Sequence, residues 1–178
     1  PLFHLLNAGT DSPLWLIQAA RAASSYLPAL GSALLAGWLW SCGPCGRRAI
    51  AHTLLALLLA WVACKLIRWG FPQPRPAQYG MGVQWILHPA NASLPSMHAT
   101  GAFALAQAIH LGIARHRRWI AVCAWIAATL VALSRVVLGV HFPSDVVAGA
   151  LLGCASAWVV WQLSWRLQPR TALVPTIS

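Results

Sequence analysis

Acidic residues are almost missing from this chain: it contains no Glu, and Asp11 and Asp145 are its only side-chain carboxylates. Charged residues of both signs make up 8% of the sequence, against about 25% in a typical soluble domain. A surface that faces water needs charge, and one that faces lipid does not. The scarcity excludes an ordinary soluble globular domain. It also argues against a dedicated Mg²⁺ or Ca²⁺ cage, because such cations are usually held by several carboxylates.

Five cysteines are present, and they carry little. Cys64, Cys123 and Cys154 lie inside apolar runs and read as small core residues. Cys42-Gly43-Pro44-Cys45 has the spacing of a redox pair but lacks the βαβ surroundings that would support one, so it reads as a turn. No signal peptide is evident, and a chain that opens on Pro1 is expected to lack its true start.

What the chain has in abundance is apolar surface: 59% of its residues are hydrophobic, and eleven are Trp, the residue that favours membrane interfaces. The formal net charge of +10 raises the question of a nucleic-acid partner. The basic residues, however, sit in short clusters between apolar runs rather than along one polar face, and nucleic acid is set aside.

A helix needs about 20 apolar residues to cross a bilayer. Residues 49–70, 97–114, 119–140 and 143–165 come near or exceed that length, and a shorter run covers 26–41. Residues 12–25, with Ser12-Pro13 as a start signal, form either an interfacial helix or the first turns of a longer tilted span, which Pro28 would kink. The expected fold is therefore an all-α integral membrane bundle of five or six transmembrane helices in one domain, 1–178. The long connection, residues 71–95, is rich in Pro, Gly, Gln and Asn and reads as a functional loop at one membrane face, a lid or lipid entrance.

With the five spans numbered in order, Arg47 and Arg48 lie between the first and second. Arg115, Arg117 and Arg118 lie between the third and fourth, and Arg166 and Arg170 follow the fifth. These seven share one side, which the positive-inside rule makes cytoplasmic, with 166–178 as a cytoplasmic tail. Lys65, Arg68, Arg75 and Arg135 fall at or near the opposite face and break the bias. Ionisable groups at membrane depth are functional candidates.

Three clusters meet on that face: Arg68-Trp69-Gly70-Phe71-Pro72-Gln73-Pro74-Arg75-Pro76, then Pro95-Ser96-Met97-His98, then Ser134-Arg135 with His141 and Asp145. Arg75 and Arg135 offer planar forks that suit phosphate, and Arg68, or Lys65 one turn earlier, adds a third cation. A helix opening at Met97 presents free N–H groups to an anion, and Ser96 adds a hydroxyl. His4, His52, His88, His110 and His116 read as ordinary polar or interfacial residues. Asn91-Ala92-Ser93 matches a glycosylation sequon, a weak three-residue pattern.

In order and spacing the clusters resemble the signature of the type 2 phosphatidic acid phosphatase superfamily: Lys-x6-Arg-Pro, Pro-Ser-Gly-His and Ser-Arg-x5-His-x3-Asp. The third motif is complete here; the second has Met97 for Gly; the first is in register only with Arg68 in the Lys position. The resemblance implies a metal-free lipid phosphatase with no cofactor. In it His141 is the nucleophile, giving a phosphohistidine, Asp145 orients it, and His98 is the general acid. Arg68 or Lys65, with Arg75, Ser96, Met97 and Arg135, would bind the phosphate. Small bacterial members of this size include undecaprenyl diphosphate phosphatases, and Leu6-Asn7-Ala8-Gly9 followed by Ser12-Pro13 loosely resembles that subgroup. The implied partners are membrane lipids and a phospholipid or polyprenyl phosphate substrate. The implied place is the bacterial inner membrane, with the site facing outward. Phosphatidylglycerophosphate or lipid A as substrate, transfer of the phosphoryl group to another lipid, and a non-catalytic lipid transporter stay open as alternatives.

Overall fold

The computed structural model describes residues 2–89, 91–113 and 115–166. Six α-helices appear: α1 (Leu2–Leu6), α2 (Leu14–Ser41), α3 (Gly43–Gly70), α4 (Met97–Gly112), α5 (Arg118–Val137) and α6 (Pro143–Arg166), with short 3-10 turns at Pro76–Tyr79 and Arg115–Arg117. No strand occurs among the described residues. The protein is an all-helical membrane bundle. The segment expected as a cytoplasmic tail lies, beyond Arg166, outside the described residues.

Polarity is arranged as lipid solvation requires. Leu54, Leu55, Leu58, Trp61, Leu151 and Trp158 point outward, while the buried hydrophobic positions are mostly alanine, with Cys64 at 0% exposure. On α3, Ala56, Ala60 and Cys64 recur every fourth residue and form the one stripe that faces the bundle. Cys64 is thus the core residue its apolar run predicts. Cys123 is exposed and Cys154 half-buried, because a run that is apolar all round does not say which face meets lipid.

The pairing of α4 with α6 sets the geometry of the site. A Cβ on Gly153 would stand 2.3 Å from the Thr100 carbonyl oxygen and 2.8 Å from the Ala104 nitrogen, and one on Gly149 would stand 2.7 Å from the Ser96 carbonyl oxygen. Small residues at this spacing let two helix backbones touch where the surrounding lipid offers no hydrophobic drive. The Ser96 N–H donates to the Asp145 carbonyl at 2.9 Å, which brings the entrances of α4 and α6 together.

Three helical stretches, Gly46–Gly70, Arg118–Val137 and Pro143–Arg166, are long and apolar enough to cross a membrane. α2 has 28 residues, about 42 Å at 1.5 Å per residue, but its first half carries Gln18, Arg21, Ser24 and Ser25. α4 has 16 residues, about 24 Å. Length and composition together therefore single out three of the five or six expected crossings. The segment 12–25 resolves as the beginning of α2, which continues through Pro28 to Ser41 as one helix rather than two. Cys42 joins α2 to α3, with Gly43 at φ 71° and Pro44 in the first turn of α3, so the CxxC is a helix–helix corner.

The N-terminal segment was not anticipated as a structural element. Phe3 of α1 is 4% exposed and packs with Ala99, Ala132, Val136 and Val146. Asn7 donates to the Val83 and Val137 carbonyls, both at 3.0 Å, and accepts from the Val83 N–H at 2.8 Å. Trp85 Nε1 donates to the Ala8 carbonyl at 2.7 Å, and Arg21 donates to the Trp85 carbonyl. The loop 71–95 is thereby fastened to the ends of α1, α2 and α5.

Candidate active site

α5 ends at Val137, and Gly139 turns the chain with φ 74°. A side chain at Gly139 would meet the Val83 carbonyl at 2.1 Å, so the turn also seats the loop. The reversal points His141, 1% exposed, at Asp145, 0% exposed, one turn into α6. Nδ1 of His141 lies 3.4 Å from Oδ2 of Asp145. Ser93 stands between them: its Oγ lies 3.2 Å from the same Nδ1 and donates to Asp145 Oδ2. The Phe142 N–H donates to that oxygen as well, at 2.9 Å. A proton held on Nδ1 leaves Nε2 with its lone pair free to act as base or nucleophile.

Arg75 meets that lone pair, with Nη1 3.2 Å from His141 Nε2. The rest of its guanidinium is held by the loop: Nη1 donates to the Val140 carbonyl at 2.8 Å, Nε to the Asn91 carbonyl at 3.1 Å, and Nη2 to Asn91 Oδ1 at 2.7 Å. Burial, with Arg68 nearby, draws Arg75 down to about 10, against the pull of Asp145. It therefore remains charged at neutral pH. Burial also pushes His141 down to about 4; Arg75 and Arg135 push the same way, while its hydrogen bond to Asp145 opposes them. His141 is neutral at pH 7, as a nucleophile must be.

Arg135, 2% exposed, donates from Nη1 to Ser24 Oγ on α2. Its Nε and Nη2, together with the buried Ser96 Oγ, have no hydrogen-bond partner among the described residues. Buried donors without partners are rare. Three of them beside the opening of α4 form a cradle for an anion.

Arg68 lies against this cradle and donates from Nε and Nη2 to the Pro95 carbonyl, at 3.0 and 2.7 Å. Lys65 does not join it. Its side chain is exposed and reaches back one turn, with Nζ 5.8 Å from the centre of the Trp61 ring. Side chains on a helix lean toward its N-terminus, which carries Lys65 away from the end of α3. Met97 opens α4, and no residue other than glycine has a positive φ among the described residues, so Met in place of Gly brings no backbone strain. Met97 and the exposed His98 line a cavity of about 630 Å³ bounded by α2, α4 and α5, with otherwise largely aliphatic walls.

Sequence reasoning missed four residues: Ser93, Asn91, Ser24 and His88. Asn91 and Ser93 were noticed only as part of a sequon. His88, which reads from the sequence as an ordinary polar or interfacial residue, stands with its ring edge-on to His141, centres 6.2 Å apart. Burial, then Arg75 and Arg135, lower it to about 4. No group of three or more His, Cys, Asp or Glu is arranged to hold a metal ion among the described residues.

A membrane helical bundle with a buried His–Asp pair, clustered arginines and an apolar cavity at its edge is the form of an enzyme that removes phosphate from lipids. The sequence matches the PAP2 superfamily over residues 49–169. It is 33% identical over 172 residues to the Escherichia coli (strain K12) protein named "Putative undecaprenyl-diphosphatase YbjG", covering 90% of this chain and 81% of that one. It is 30% identical over 146 residues to undecaprenyl-diphosphatase BcrC of Bacillus subtilis (strain 168), covering 81% and 72%. Its fold is similar to the crystal structure of Aquifex aeolicus LpxE, with a TM-score of 0.69 and 27% identity over 90% of this chain and 93% of that one. The chain belongs to the PAP2 superfamily and is a lipid phosphatase.

Proposed function

We propose that the enzyme removes the terminal phosphate of undecaprenyl diphosphate at the outer face of the bacterial inner membrane, without a metal, through a phosphohistidine on His141. The observation that carries this reading is the 630 Å³ cavity that begins at Met97 and His98. It offers a long isoprenoid chain an apolar bed that begins at Met97 and His98, the residues that follow Ser96 of the phosphate cradle. The names of the two relatives above point to the same lipid.

In the first step Nε2 of His141 attacks the terminal phosphorus. The bond to the bridging oxygen breaks, its electron pair goes to that oxygen, and His98 supplies a proton, releasing undecaprenyl phosphate. The hydrogen bond from Arg75 to Nε2 passes to a phosphoryl oxygen as attack begins. Arg135, Ser96, Arg68 and the N–H groups of α4, Met97 included, take the charge that builds on the other oxygens. Asp145, through Ser93 and directly, holds the Nδ1 proton and stabilises the imidazolium. Water then attacks phosphorus, the P–N bond breaks with its pair returning to Nε2, and His98 accepts the proton. With two carboxylates in the whole chain, cations rather than a metal answer the phosphate charge.

Phosphate release from detergent-solubilised protein tests the reading, run side by side on undecaprenyl diphosphate, phosphatidylglycerophosphate, phosphatidic acid and lipid A in the presence of EDTA. Undecaprenyl diphosphate is expected to give the highest kcat/KM, and His141→Ala to lose more than about a thousandfold while keeping its helical circular dichroism. Full activity in that variant sinks the mechanism. Loss of activity with EDTA sinks the metal-free site, and faster turnover of another lipid reassigns the substrate. Appearance of the phosphate on an acceptor lipid makes the enzyme a phosphotransferase, and no phosphate release from any lipid makes the protein a binder or transporter.

A further inference from the structure

Among the described residues, the end of the bundle away from His141 carries side-chain charge of one sign only. Arg47, Arg48, Arg117, Arg118 and Arg166 gather there, at the α2–α3 corner, the α4–α5 connection and the end of α6. Both side-chain carboxylates are at the other end: Asp145 in the site, and Asp11 in the turn that leads into α2. Neither acidic side chain of the chain lies at the basic end. Arg47 partly answers its own charge by lying 5.7 Å over the Trp40 ring.

Among these cations lies a second cavity, of about 360 Å³, an open hollow bounded by α2, α3, α4 and α6. Arg48 and Arg117 contribute its cationic part, His52 adds a polar ring, Trp161, Ser164 and Trp165 contribute from α6, and most of the remaining wall is aliphatic. A cationic rim on an apolar, tryptophan-bearing hollow suits an amphiphile with an anionic head. A small soluble anion would leave the apolar walls unused. A zwitterionic lipid would bring an ammonium for which no carboxylate is present.

We propose that this cavity binds the headgroup of an anionic phospholipid in the leaflet opposite the active site, with the acyl chains along its aliphatic walls. Basic pockets between membrane helices are suited to such headgroups. The lipid supplies the negative charge that the sequence omits and ties the α2–α3 corner to the ends of α4 and α6.

The test uses the whole chain, purified in a neutral detergent and delipidated. Dioleoylphosphatidylglycerol, dioleoylphosphatidylcholine and inorganic phosphate are added separately, and lipid retention is read by native mass spectrometry alongside the melting temperature. Phosphatidylglycerol is expected to be retained and to raise the melting temperature, and the other two are not. Arg48→Gln with Arg117→Gln is expected to weaken phosphatidylglycerol binding about thirtyfold, with phosphate release from the lipid substrate unchanged. Ser164→Trp fills the cavity with every charge in place and is expected to abolish retention as well. Equal retention of phosphatidylcholine, or equal stabilisation by inorganic phosphate, overturns the proposal. So does undiminished phosphatidylglycerol binding in the double variant. Loss in the double variant but not in Ser164→Trp overturns the cavity as the site.

Discussion

Ser93 joins His141 to Asp145 through one hydroxyl, and no motif marks it. Its removal is expected to leave the phosphate cradle intact while loosening the tautomer and aim of the imidazole. Ser93→Ala should therefore lower kcat about tenfold with little change in KM. The pH profile provides a second measure. In the wild-type enzyme, the acid limb of kcat/KM is expected near pH 4, where burial places His141, rather than near 6.5. An acid limb at 6.5 would contradict an imidazole kept neutral by its surroundings. The same depression bears on stability: the folded chain binds fewer protons at His141 and His88 than the unfolded chain between about pH 4 and 6.5. The stability this gives is present above pH 6.5 and is lost as the pH falls through about 4. Arg75, Arg135, Ser96, His141 and Asp145 were legible because helix ends and fixed spacings tie them together along the chain. Ser93, Asn91, Ser24 and His88 were not, since they reach their partners from a loop or from another helix far along the chain, where the periodicity of one segment says nothing.

α4 and α6 carry the two halves of the site on their first turns, so their packing is part of its geometry. Gly153→Leu would drive a side chain into the backbone of α4 at Thr100 and Ala104. Overpacking of this kind costs about 1–3 kcal/mol. A lowered melting temperature and a fall in kcat are both expected, because Ser96 and His98 move away from Asp145. Unchanged melting and turnover would mean that α4 shifts freely. The long helices were readable from apolar runs, and the α2–α3 corner from Gly43 and Pro44. The union of residues 12–25 with 26–41 was left open because Pro28 removes only one helical hydrogen bond, the one to the Ser24 carbonyl, and packing on α5 carries the helix past it. α1 has five residues, too few for any period to show; it exists because Phe3 fills a gap between α4, α5 and α6.

Across the whole molecule, charge and chemistry divide the bundle into two ends. If the basic end faces the cytoplasm, the loop 71–95 faces outward. In a background without native cysteines, Leu87→Cys, at a fully exposed position, is expected to react with a membrane-impermeant thiol reagent added to intact spheroplasts. Cys at Arg118 is expected to react only after lysis. The reverse pattern would place the phosphatase site on the cytoplasmic side and overturn the assigned face.

The cavity that runs from His98 between α2, α4 and α5 has one more consequence. A substrate whose tail rests there is met by lateral diffusion within a film, not by collision from bulk water. Its concentration is then a surface density. Kinetic constants for this enzyme belong in mole fraction of lipid. Inert detergent added at fixed substrate and fixed volume slows the reaction by dilution in two dimensions, although no molarity has changed.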